Sequence, residues 1–176
     1  MEPSNSSVTL HENNSMYDFS LNESRFELTK EELTGIILTA FEIMENDYIA
    51  NNLKLFVEAL THNRNTEYSQ SFVMSWSILE QNYSSLWEKM LNEKRLDKSR
   101  LDKLLNPNQW SIDYKLEILN LFGKIDEQDY KLLMELKKKR NNFYYGRELI
   151  SQEDSVKSLK LARNIIDDKL NLLYSK

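Results

Sequence analysis

The chain has 176 residues, a formal net charge of −5, three glycines, two prolines and no cysteine. It is long enough for one domain with a real hydrophobic core, and disulfides and thiolate metal sites are excluded. An acidic balance argues against a general nucleic-acid binder but not against a local basic site.

Few helix breakers, and helical spacing almost everywhere after residue 28, predict an all-α protein: an up-down bundle of about four long helices with short additional ones. No apolar run approaches the roughly 18–20 residues of a membrane span. The opening residues MEPSNSSVTLHENNS lack the basic and apolar regions of a secretory signal, so the expected location is the cytoplasm.

Residues 1–25 read as a polar, disordered arm, with His11 idle in solvent, and residues 26–176 as a single helical domain. Thr29 with Glu32 makes a capping box, after which Leu33, Ile36, Ile37, Ala40, Phe41 and Met44 form one apolar stripe. A second segment, about 48–62, either continues that helix with a bend or starts afresh near Asn46 and Asp47. Its end, THNRN, reads as a turn carrying a surface His62.

Residues 66–92 give the strongest long helix. Phe72, Trp76, Leu79, Tyr83, Leu86 and Met90 alternate in steps of four and three, and Val73 and Trp87 widen the stripe. Glu80 shares that flank. It is either a rim carboxylate in water or the partner of a buried cation.

A charged connector follows, with a short helix about 99–105 and a stop at Asn106-Pro107-Asn108. Residues 110–122 make another helix, with Ile112, Leu116 and Leu119 inward and Gly123 at its end. Asp126 is placed to cap the next helix, which runs through Tyr130, Leu133 and Leu136 and closes at Gly146. Ser151 with Asp154 opens the last, whose apolar face is Val156, Leu159, Ala162, Ile166 and Leu173.

The segment LKKKRNNFYYG, residues 136–146, carries the chemistry. Arg140 stands four residues after Leu136 and seven after Leu133, so it projects from the apolar stripe. A guanidinium cannot lose its proton to escape burial, so it needs a partner or a purpose there, and Glu80 is the evident carboxylate. Lys137, Lys138, Lys139 and Arg147 surround it. Cations at a helix C-terminus also complement its partial negative charge, which accounts for the lysines without any ligand.

Arg140-Asn141, followed by aromatic residues and Gly146 at the end of the penultimate long helix, resembles the HEPN superfamily (the higher eukaryote and prokaryote nucleotide-binding domain). SFVMSWSILEQNYSSLW, with its acidic Glu80, looks like the family's long first core helix. WSIDYKLEILNLFGKI and SQEDSVKSLKLARNII look like segments flanking the motif. The resemblance covers about residues 66–174.

It implies a helical homodimer related to metal-independent endoribonucleases, in which the arginine holds the scissile phosphate and a histidine four to six residues later handles the proton. Arg140 and Asn141 match that motif, whereas Tyr145 stands where the histidine belongs. A tyrosine ordinarily titrates near pH 10, against about 6.5 for histidine, and is a poor general base at neutral pH. A positioned acid or base contributes about 10²–10⁴-fold, so the degenerate motif Arg140, Asn141, Tyr145 implies binding with weak or absent cleavage.

The expected function is therefore recognition of RNA or nucleotide phosphate at a dimer-interface site around Arg140. Glu80 supports the site, Lys139 and Arg147 are candidate phosphate ligands, and neither metal nor cofactor is expected. The resemblance implies a regulatory, defence or toxin–antitoxin setting, with an antitoxin or a nucleotidyltransferase as partner and Tyr144 or Tyr145 as the latter's acceptor. Two alternatives stand beside it: an active ribonuclease with an altered catalytic group, and a helical interaction module without ligand in which Arg140 and Glu80 only fix the packing.

Overall fold

The structure is a computed structural model that describes residues 29–106 and 109–174. The described residues form seven helices and no strand: α1 Lys30–Glu45, α2 Asp47–Arg64, α3 Tyr68–Glu93, α4 Lys98–Leu105, α5 Ile112–Leu121, α6 Glu127–Tyr144 and α7 Gln152–Tyr174. None is long and apolar enough to cross a membrane. The all-α expectation holds. The chain divides into two compact units, residues 1–37 and 38–176, and the core and the residues around Arg140 belong to the second.

Local signals set most helix ends. Asn46 separates α1 from α2 by accepting a hydrogen bond from Ile49 N (3.2 Å), which resolves the choice between one bent helix and two. Asp97 Oδ1 caps α4 through Arg100 N, and Asp126 Oδ1 caps α6 through Asp129 N. Gly123 and Gly146 follow α5 and α6 at φ 66° and 65°, a left-handed conformation that costs glycine no Cβ clash. Ser151 and Asp154 cap α7 reciprocally: Asp154 N donates to Ser151 Oγ (3.1 Å), and Ser151 Oγ donates to Asp154 Oδ2 (2.8 Å).

α3 is the axis of the second unit, packed by α2, α7, α5 and α4, while α6 lies against α5 and α7. Of the expected stripe on α3, Phe72, Trp76, Leu79, Tyr83, Trp87 and Met90 are buried with Leu116, Leu119, Leu133 and Leu136, while Val73 and Leu86 are half-buried. A further buried set is Ser71, Ser75 and Ile78. Small buried residues recur on the helices that α3 meets: Ala59 on α2, and Ser155, Ser158 and Ala162 on α7. Small side chains at a helix contact let the axes approach closely. Asn63 Nδ2 donates to Ser155 Oγ (2.7 Å), tying α2 to α7 inside the core.

The apolar stripe on α1 is present, with Leu33, Ile36, Ile37, Phe41 and Met44 exposed: periodicity shows that a helix has an apolar face and not what covers it. One expectation needs correcting. THNRN is no turn: α2 continues through Arg64, Asn63 is buried, and the chain reverses at Thr66, with φ 62°. His62 lies on the helix as a partly exposed side chain, its Nδ1 2.5 Å from the Glu67 carboxylate. The expected arm, His11 and Pro107 fall outside the described residues, as does the side chain of Leu173.

Candidate functional site

Arg140 occupies the last turn of α6, one turn beyond Leu136, whose side chain is fully buried. The helix delivers the guanidinium to the edge of the core, where its side chain is 34 % exposed. Glu80 reaches the same edge from α3 and is 41 % exposed. Glu80 is thus neither a free rim carboxylate nor half of a buried pair. Its Oε2 accepts from Trp76 Nε1 at 3.2 Å and stands 4.0 Å from Arg140 Nη2, an attraction without a hydrogen bond.

The other guanidinium contacts are equally loose. Nη1 donates to Asn141 Oδ1 at 3.3 Å, and Cζ lies 4.6 Å from the Tyr144 ring centroid, a cation–π contact. Nε is buried and has no hydrogen-bond partner. A charged group with five donors is held by one long hydrogen bond, one distant carboxylate and one ring face. It is positioned but under-satisfied, as an anion receptor is.

The cations nearby sort into two groups. Lys137 pairs with Asp113 (2.5 Å), and Lys139 with Glu148 (2.5 Å) and Asp154 (3.6 Å). The hydrogen bond to Glu148 and then the charge of Asp154 raise the Lys139 pKa above the ordinary lysine value. Glu148 is lowered, first by Lys139 and then by the amide of Asn142, which donates to it at 2.9 Å. Lys139 therefore ties α6 to the start of α7, and its charge is already matched by carboxylates. Lys138 and Arg147 are exposed and make no salt bridge among the described residues.

The end of α6 fixes the remaining groups. Gly146 N donates to Phe143 O (2.9 Å) and Arg147 N to Asn142 O (2.8 Å), the paired bonds of a Schellman stop. Tyr145 is the C-cap, and its side chain is 73 % exposed, with Arg147 Cζ 5.3 Å from its ring centroid. The structure therefore brings together Arg140, Asn141, Glu80 and Tyr144, and separately Tyr145 with Arg147. Tyr144 and Trp76 also belong to the constellation, and helical spacing signals both, each standing four residues from the group it touches.

Among the described residues no imidazole joins this constellation, and His62 is engaged with Glu67 at the α2–α3 corner. Among the described residues no group of three or more histidine, aspartate or glutamate side chains is arranged to hold a metal ion. Chemically, the site can orient and neutralise an anion. The titratable acid–base group that the described residues place against the guanidinium is the Glu80 carboxylate.

Comparison with family models, with curated proteins and with solved structures finds no match for the chain.

Proposed function

We propose that the protein binds RNA or nucleotide phosphate at Arg140 and cleaves it weakly or not at all. The observation that carries this is the state of the Arg140 guanidinium: one-third exposed, stacked on Tyr144, with one long hydrogen bond to Asn141 and its carboxylate 4.0 Å away. The exposed Nη atoms make one long hydrogen bond, to Asn141, and can give a phosphate oxygen the charge-assisted hydrogen bonds that no described group takes up. The motif resemblance at Arg140 and Asn141 supports a polynucleotide phosphate over a free anion. Tyr145 in place of the family histidine supports binding over catalysis. By the same resemblance the protein acts as a homodimer, in a regulatory, defence or toxin–antitoxin role.

Fluorescence anisotropy with a labelled single-stranded oligoribonucleotide tests the proposal. Wild-type protein binds at low salt, and Arg140→Ala weakens binding by at least tenfold while its far-UV circular dichroism stays unchanged. Equal binding by a folded Arg140→Ala protein would move the site elsewhere. Absence of binding by wild-type protein would favour the ligand-free interaction module.

A further inference from the structure

Resting on the phosphate-binding proposal above, we infer that Tyr145, with Tyr144 beside it, is a base-stacking platform that restricts the site to single-stranded RNA. Two consecutive aromatic rings stand in solvent at the end of α6, Tyr144 58 % and Tyr145 73 % exposed. Neither is placed by burial. Tyr145 is held by the backbone, through its own N–H to Asn141 O (3.1 Å) and through the left-handed Gly146 that follows. A ring carried on a backbone fixed by a helix stop, and left in water, is available to a flat ligand.

Each ring also carries a cation. Arg140 Cζ lies 4.6 Å from the centroid of Tyr144, and Arg147 Cζ 5.3 Å from that of Tyr145. A guanidinium on a ring occupies one face, and the exposure of Tyr145 leaves the other open. Planar rings interleaved with arginines match a chain that alternates flat bases with phosphates. Lys138 and Arg147, without salt bridges among the described residues, add positive charge along the same helix end.

A duplex cannot use such a platform, because its bases are stacked on one another. An unpaired base can leave its neighbours and lie on Tyr145 while Arg140 holds an adjacent phosphate.

The test uses three probes: a single-stranded oligoribonucleotide with 2-aminopurine replacing one adenine, a duplex of the same sequence, and inorganic polyphosphate. Wild-type protein binds the single strand more tightly than the duplex and changes 2-aminopurine emission by stacking. Tyr145→Leu keeps an apolar side chain and lowers single-strand affinity roughly 5- to 100-fold, with polyphosphate binding unchanged. Tyr145→Phe keeps the ring and binds as wild type does. Arg140→Ala weakens both single strand and polyphosphate. Undiminished single-strand binding by Tyr145→Leu, or loss in Tyr145→Phe, overturns the platform while leaving the phosphate site intact. Failure of wild-type protein to bind either single strand or polyphosphate overturns the phosphate site, and the platform with it.

Discussion

At the scale of single residues, Arg140 is defined by what it lacks. The pair with Glu80 would be worth 3–5 kcal/mol to the fold if it were buried, because removing one partner strands the other. With both side chains at least one-third exposed and 4.0 Å apart, it falls nearer the exposed class of about 0–1 kcal/mol. The contact with Tyr144 adds about 0.5–1 kcal/mol. Arg140→Ala should therefore cost about 0.5–2 kcal/mol in a denaturant titration. A loss above about 3 kcal/mol would make the arginine a structural keystone and weaken the case for a ligand. Tyr145 is the other decisive residue. Tyr145→His restores an imidazole beside a preserved arginine, and the expected outcome is EDTA-resistant RNA cleavage that disappears on adding Arg140→Ala. Continued silence would separate this site from the ribonucleases that its motif resembles.

At the scale of elements, the two ends of α6 do different work. Its start is fixed by Asp126, and its stop by Gly146, which places Tyr145 and Arg147 on either side of one left-handed residue. A Cβ at Gly146 would meet nothing within 4 Å, so Gly146→Ala pays only for conformation, about 1–2 kcal/mol. Calorimetry should show a fall of about 2–8 °C in Tm; an unchanged Tm would mean that the stop is not under strain. The junction of α6 with α7 depends on Lys139, Glu148 and Asp154. The Glu148 pKa is lowered on folding, so its contribution is present above the ordinary carboxylate range and fades as pH falls through the lowered value. The Lys139 pKa is raised, so its contribution is present below the ordinary lysine range and fades as pH rises through the raised value. In an NMR titration Glu148 should titrate below a typical glutamate, and Lys139→Met should move it back up. A Glu148 indifferent to that change would contradict the pairing.

At the scale of the whole molecule, the sequence was most legible where a single element decides the outcome. Asp126, Gly123, Gly146 and the Ser151–Asp154 pair announce helix ends because the signal and its consequence lie within a few residues. The stripe of α3 was equally plain, since six large apolar side chains at helical spacing have one sensible destination. What stayed hidden was relational. Ser71, Ser75, Ser155 and Ser158 look like solvent-facing polar residues until three helices close over them. Asn63 looks like a turn residue until its partner, 92 positions away, is known. The exposed apolar face of α1 shows the same limit from the other side.

The candidate site divides in the same way. Arg140 and Glu80 could be named from the spacing of each within its own helix. Their distance, their exposure and the commitment of Lys139 to carboxylates depend on how α3, α6 and α7 meet. The net charge of −5 belongs to this scale too: RNA can bind only where a local cationic edge outweighs an acidic whole, so binding must be sensitive to salt.

The salt dependence of single-stranded RNA affinity, in wild-type protein and in Arg140→Ala, is the most direct test of the central claim. Wild-type affinity should fall linearly on a double-logarithmic plot, and the variant should bind more weakly, with a slope smaller by about one phosphate contact. Identical slopes and affinities in the two folded proteins would contradict a phosphate held by Arg140.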